Sequence, residues 1–290
     1  MRMLFITLGV LAGLFAVASS SQAIVINGEN AVDNYRFESG TYPSAPIPNT
    51  SPNFFAAGYD LSGVGWGTNS TRSYVMISDQ YFFFFTHHPP TDSNMYFYSP
   101  SDDAVVLYTI DTAFTLSPTS TLEYPFAAPG NHLKSDLSVG RLTAPINSSK
   151  NITSYPILDL PSGDDYLDPG LDLLVYGWSA AVGTGKINGL GGINLYWNAT
   201  TPGVAADDIL NTVTNFDSLS DTFTLSFTQG AGAGEAMLDN GDSGSPSFVA
   251  WNGGLALVGI HSAISNSEPT SYDTFVPAYL DTLSSKGIPF

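Results

Sequence analysis

The chain has 290 residues, 43% hydrophobic and only 12% charged, a balance that describes a folded globular protein and excludes a disordered one. Its 26 acidic residues against 8 lysines and arginines give a formal net charge of −18, which repels a phosphate backbone and argues against nucleic acid as a partner. There is no cysteine, so disulfides, thiolate metal sites and thiol nucleophiles are excluded and stability must come from packing.

From the N-terminus, Arg2 supplies a short positive start, Leu4 to Val17 are apolar, and Ser21-Gln22-Ala23 fits the small-x-small pattern of signal-peptide cleavage. The apolar run is too short for a membrane span. Residues 1–23 are therefore expected to be removed, leaving a mature chain that starts at Ile24, is exported to an extracellular or periplasmic space and is free of the membrane. Short runs rich in Val, Ile, Phe, Tyr and Thr follow: Ser73 to Ser78, Tyr81 to Phe85, Met95 to Tyr98, Ala104 to Ile110, Leu171 to Trp178, Thr222 to Phe227 and Leu255 to Ile260. They read as strands, and with 28 Gly and 19 Pro the turn signals recur often enough for a barrel or a sandwich. Asn147 to Pro169 lacks apolar periodicity and reads as a linker, dividing the mature chain into 24–150 and 151–290. Ala278 to Lys286, stopping before Gly287 and Pro289, has helical spacing and reads as a closing helix. Sequons at Asn49, Asn69, Asn147, Asn151 and Asn198 are about as many as chance supplies in so Ser/Thr-rich a chain.

Four histidines, His87, His88, His132 and His261, are the candidates for proton transfer, and Asp103 and Asp136 both precede apolar runs. Gly241-Asp242-Ser243-Gly244-Ser245-Pro246 places a serine between glycines. A nucleophilic serine needs an exposed hydroxyl and backbone N–H groups aimed at the oxyanion it creates, and flanking glycines permit the unusual dihedrals this requires. Taken alone, the hexapeptide reads equally well as a surface loop.

That hexapeptide resembles the GDSGGP signature of the trypsin/chymotrypsin family, with Ser245 in place of a family glycine. Met76 to His87 resembles the family's LIS-type strand leading to Ala-Ala-His. It differs at Phe85 and Thr86, where the family has small residues, and at His88, where it usually has a bridged cysteine. Ser135 to Ile146 resembles the segment Asn-Asp-x-Ala-Leu-Leu-x-Leu-x-x-Pro-Val. The resemblance implies Ser243 as nucleophile, His87 as general base and Asp136 as the orienting acid, with the N–H groups of Gly241 and Ser243 as the oxyanion hole. The order His, Asp, Ser differs from that of α/β-hydrolases and subtilisins.

Further segments extend the likeness. Ile24-Val25-Ile26-Asn27-Gly28 resembles the family's Ile-Val-x-Gly start, which implies that a freed Ile24 ammonium pairs with Asp242. Val258 to Ser262 is similar to the strand that pairs with substrate backbone, which puts Ser262 beside the catalytic aspartate. Leu174 to Trp178 is similar to the strand ending in Gly-Trp, and Tyr272 to Val276 to the C-terminal segment. The same resemblance puts Met237 and Leu238 at the floor of the specificity pocket and Ile264 and Thr270 at its walls, with Asp239 the nearby acid. Such a lining favours small or medium apolar side chains. The implied architecture is all-β: two packed six-stranded antiparallel β-barrels and a short C-terminal helix, His87 and Asp136 on the first barrel and Ser243 on the second. The implied activity is that of a secreted, monomeric serine endopeptidase acting on protein or peptide substrates with no cofactor or metal. The rivals are a catalytically inactive homologue that serves as a secreted binding protein, and an esterase on the same fold.

Overall fold

Four consecutive phenylalanines, Phe82 to Phe85, set the architecture of the first half of the chain. In a strand, successive side chains point to opposite faces. Phe82 and Phe84 accordingly pack with Tyr74, Met76, Met95, Phe97, Ile110 and Leu142, while Phe83 and Phe85 pack with Val64, Trp66, Val75, Leu137 and Val139. A strand apolar on both faces has to be central in its sheet, and this one is.

The computed structural model describes residues 24–26, 30–41, 44–67, 72–123, 134–161, 172–177, 191–194, 224–228, 236–239, 241–264 and 270–290. The expected leader, His132 and Trp178 lie outside them. The strands in chain order are β1 (Val25–Ile26), β2 (Phe37–Thr41), β3 (Ala45–Pro48), β4 (Val64–Gly67), β5 (Ser73–Met76), β6 (Tyr81–Phe85), β7 (Asn94–Ser99), β8 (Ala104–Thr109) and β9 (Thr121–Glu123). They continue with β10 (Lys134–Arg141), β11 (Asp172–Val175), β12 (Gly191–Asn194), β13 (Thr224–Thr228), β14 (Ala236–Met237), β15 (Pro246–Trp251), β16 (Gly254–Ile264) and β17 (Thr270–Phe275). Among the described residues three short helices accompany them: α1 (Ala31–Asn34), α2 (Thr112–Thr115) and α3 (Leu280–Ser285).

A seven-stranded sheet runs β8-β7-β4-β5-β6-β10-β9, and a six-stranded sheet runs β12-β11-β15-β16-β17-β13. Two ribbons, β1-β14 and β2-β3, complete the pairing. All of these strand pairs are antiparallel. The fold is thus all-β and antiparallel, but among the described residues the strand count departs from the expected six and six. Among the described residues neither sheet closes by full strand pairing. In the first, the chain leaving β8 meets the end of β10 only through the Ile110–Leu142 bridge, because α2 begins two residues later and turns the backbone away.

One apolar cluster joins the two sheets. It holds Phe83, Phe85 and Val139 from the first, Phe248, Leu257 and Ile260 from the second, and Val276, Tyr279 and Leu283 from the C-terminal segment. That segment opens as a 3-10 turn, Val276–Tyr279, and becomes helical only over α3, inside the predicted Ala278 to Lys286. The described part of the expected linker is fastened rather than loose. Tyr155 N–H donates to the Met76 carbonyl, and Leu158 N–H and the Pro156 carbonyl bond both backbone groups of Leu257. Among the described residues no helix is long and apolar enough to cross a membrane.

This packing predicts that Phe83→Ala, at a fully buried position, lowers stability by about 3–5 kcal/mol. Phe55→Ala, where the side chain is exposed, is expected to change it by no more than about 0.5 kcal/mol. Urea unfolding of the two variants checks the contrast.

Candidate active site

The register between β6 and β10 places Phe85 opposite Leu137. The next residues on one strand are Thr86 and His87, and the preceding residue on the other is Asp136, so pairing alone carries the imidazole to the carboxylate. Thr86 N–H donates to the Asp136 carbonyl at 2.7 Å, and His87 N–H donates to Asp136 Oδ1 at 2.9 Å. His87 Nδ1 bonds Asp136 Oδ2. The Asp136 side chain is 10% exposed against 41% for His87, an arrangement that gives the ring an inner anchor and an outer nitrogen facing the solvent cleft.

Neighbouring hydroxyls hold the acid's strand. Ser135 Oγ shares a 2.8 Å hydrogen bond with the Tyr279 hydroxyl and accepts Leu137 N–H at 2.9 Å. Thr86 Oγ1 and Ser138 Oγ lie 2.6 Å apart across the strand pair. Phe85 stacks against His87 with ring centroids 5.4 Å apart and an interplanar angle of 16°. The bulky residue where the family has a small one therefore packs against the imidazole.

The other candidates sit elsewhere. Asp103 occupies the β7–β8 turn at φ +49 and accepts from the Tyr98 hydroxyl. His88 bonds back to the Phe85 carbonyl. Its pKa is pushed down to about 4, by burial first and then by the charges of Arg72 and His87, against a smaller upward pull from Asp136.

Ser243 reaches this pair from the loop before β15, with its Oγ 3.2 Å from His87 Nε2. Gly241 at φ +107 and Gly244 at φ +92 occupy a region that side chains rarely adopt, which is what lets the loop curl around the serine. Gly244 N–H donates to the His261 carbonyl at 3.0 Å, and His261 N–H donates to the Ser245 carbonyl at 2.8 Å, tying the loop to β16. Among the described residues the N–H groups of Gly241 and Ser243 have no acceptor. The Ser245 hydroxyl, the departure from the family glycine, is buried and among the described residues has no hydrogen-bond partner.

Beneath the loop, Ile24 N–H donates to Asp242 Oδ2 at 2.7 Å and Asp239 N–H donates to the same oxygen at 2.9 Å. Ile24 and Asp242 are both buried, and β1 reaches this place by pairing Val25 with Met237. Of the expected pocket residues, Leu238 is buried, while Ser262 and Ile264 are half-buried on β16. The side chains of Met237 and Thr270 lie outside the described set. A cavity of about 560 Å³ lined by Tyr59, Asp60, Pro156, Asp159, Trp251 and neighbouring residues shares no residue with this site.

Sequence reasoning missed the Ser135–Tyr279 and Thr86–Ser138 contacts. The available signal was two serines, Ser135 and Ser138, on either side of Asp136 and Leu137. It also missed the partners of His261, a buried histidine whose ring bonds Asp273 and the Tyr176 carbonyl, residues of two segments that the resemblance matches separately.

The trypsin family model matches residues 114–283. That stretch contains Asp136 and Ser243, and His87 lies N-terminal to it. Solved structures with a similar fold include human heparin binding protein, 14% identical, with 78% of this chain and 91% of that chain covered and a TM-score of 0.49. Another is neuropsin, a serine protease expressed in the limbic system of mouse brain, also 14% identical, covering 78% and 94% with a TM-score of 0.48. No curated protein sequence matches the chain.

The His88 environment yields a pH prediction. The unfolded ring takes up its proton near pH 6.5 and the folded ring only near 4, so stability is whole above 6.5 and is lost as pH falls toward 4. The shift corresponds to about 3 kcal/mol, reduced to about 2 kcal/mol by the ring's partial contact with solvent. His88→Gln is expected to flatten the pH dependence of the urea midpoint by about that amount.

Proposed function

Because the chain belongs to the trypsin family, we propose that it is a secreted serine endopeptidase using Ser243, His87 and Asp136. The observation that carries this reading is the single line of contacts from Ser243 Oγ through His87 Nε2, at 3.2 Å, to Asp136 on the other ring nitrogen. Nδ1 is committed to a carboxylate, so Nε2 is the nitrogen free to accept the serine proton.

In this reading Oγ bonds to the substrate carbonyl carbon as His87 Nε2 takes the hydroxyl proton. The carbonyl π electrons move onto oxygen, which lies where the N–H groups of Gly241 and Ser243 point. Collapse of the tetrahedral species breaks the C–N bond, and the amine leaves with the proton from His87. Water then repeats the sequence on the acyl-enzyme. Asp136 stabilises the imidazolium without taking its proton. Loss of one oxyanion donor in such sites typically lowers the rate by about 10²–10³.

The mature enzyme begins at Ile24 after export and removal of residues 1–23, with 24–150 carrying base and acid and 151–290 carrying the nucleophile. Ile24 nitrogen already faces Asp242 at 2.7 Å, and a freed ammonium there turns the contact into a buried ion pair that fixes the loop of Gly241 and Ser243. A monomer acting on protein or peptide chains fits the open, half-exposed His87. The buried Leu238 supports a preference for small or medium apolar side chains.

A fluorophosphonate probe is expected to label Ser243 of the mature protein, located by peptide mass, and to leave His87→Ala unlabelled. An alanine added before Ile24 removes the buried cation opposite Asp242, costs about 3–5 kcal/mol and should abolish labelling. A folded, correctly processed wild type that takes no probe would favour the inactive binding protein, and full labelling of the alanine-extended form would sink the activation pair.

A further inference from the structure

The proposed mechanism leaves one buried ionisable pair unused. His261, on β16, and Asp273, on β17, are cross-strand partners and are 1% and 0% exposed. His261 Nδ1 lies 2.7 Å from Asp273 Oδ1, and Nε2 lies 2.7 Å from the Tyr176 carbonyl oxygen. The second carboxylate oxygen of Asp273 accepts the Ser247 hydroxyl at 2.5 Å.

A carbonyl oxygen accepts and cannot donate, and neither can an ionised carboxylate. With an acceptor on each ring nitrogen, both nitrogens carry hydrogen, so the ring is an imidazolium whose charge is balanced by Asp273. This is a buried, fully hydrogen-bonded ion pair, the form in which such a pair is tolerated.

Its position matters as much as its charge. The His261 peptide holds the nucleophile loop through Gly244 and Ser245. Its ring holds the Tyr176 carbonyl, and the next residue, Gly177, is the wall behind the Ile24–Asp242 contact. A Cβ placed on Gly177 would lie 2.5 Å from Ile24 Cβ and 2.9 Å from Asp242 Oδ1. Tyr176 N–H also donates to the Pro246 carbonyl at 3.0 Å, at the end of the same loop.

We propose that His261 is a positioning residue: as an imidazolium between Asp273 and the Tyr176 carbonyl, it holds the wall against which Ile24 and Asp242 meet, and through them the loop of Gly241 and Ser243. The proposal rests on the serine-peptidase reading of that loop.

The charged groups facing the ring are Asp273 from β17 and Asp242 from the loop. β15 contributes the Ser247 hydroxyl, the segment after β11 contributes the Tyr176 carbonyl, and β16 has no other ionisable residue. Burial pulls the ring toward its neutral form, but the Asp273 charge and hydrogen bond, with Asp242 and the Tyr176 carbonyl adding to them, outweigh it and raise the pKa above the ordinary 6.5. The contribution to stability is therefore whole below 6.5 and is lost as pH rises through the raised value.

Nitrogen-15 NMR of the mature wild type reads the ring directly and needs no activity, so it stands apart from the protease reading. Two ring N–H signals for His261 persisting above the ordinary 6.5 of a free imidazole are expected, and a ring with a single N–H there would overturn the proposal. Folded His261→Gln, which keeps a donor and loses the charge, is expected to react with fluorophosphonate at Ser243 about tenfold more slowly than wild type. Labelling at the wild-type rate would overturn the positioning role. Asp273→Asn serves as the second variant, with the deficit relative to wild type shrinking as pH is lowered and the ring regains its proton; a deficit independent of pH would mean a merely structural effect. A wild type whose ring is charged but whose serine takes no probe would defeat the protease reading alone.

Discussion

The pairing of β6 with β10 is the constraint on which the site depends. Phe85 opposite Leu137 decides that His87 follows and Asp136 precedes at the same end of the same pair. A slip of one residue would turn every side chain to the other face, exposing the Phe83 side to the wrong core and aiming Asp136 away from the imidazole. Both faces of β6 are buried and Phe occupies both, so the register is fixed by its partners on β10, where Asp136 and Leu137 differ in polarity. The Ser135–Tyr279 and Thr86–Ser138 bonds add polar selectivity to a register that apolar packing already enforces.

Ser243 arrives from the other sheet, so its distance from His87 depends on how the two sheets meet. The shared apolar cluster does most of this. Arg36 adds a polar tie: buried, it donates to the Val64 carbonyl at 2.8 Å on one side and to the Tyr176 hydroxyl at 3.3 Å on the other. Its guanidinium lies 4.8 Å from the Phe37 ring centroid and 5.5 Å from that of Trp66, a setting in which a desolvated cation is stabilised by aromatic faces. Tyr176 thus belongs to two networks, its hydroxyl to Arg36 and its carbonyl to His261. One residue links the sheet interface to the support of the serine loop.

Much of this was legible in the sequence, for identifiable reasons. Ser243, Asp136 and His87 were singled out through segments that resemble those of a known family, and the four-Phe run reads as a strand. The fold class followed from many short β-rich runs between turn residues. What stayed hidden is what depends on long-range pairing. β4 carries two glycines, β9 is very short and β3 contains Pro46 and Pro48, so none of them looks like a strand by propensity, and tertiary context overrides the signal. In the first sheet β4, β9 and the polar β10 therefore lie outside the runs that read as strands. The His261–Asp273 pair was invisible because only the β16–β17 register brings the two residues together.

Digestion of an unfolded protein substrate, read by mass spectrometry, shows whether this constellation hydrolyses internal peptide bonds as proposed. New internal termini after small or medium apolar residues are expected with the mature wild type and none with Ser243→Ala. Cleavage that persists in Ser243→Ala, or a substrate left intact by the folded mature protein, would contradict that proposal.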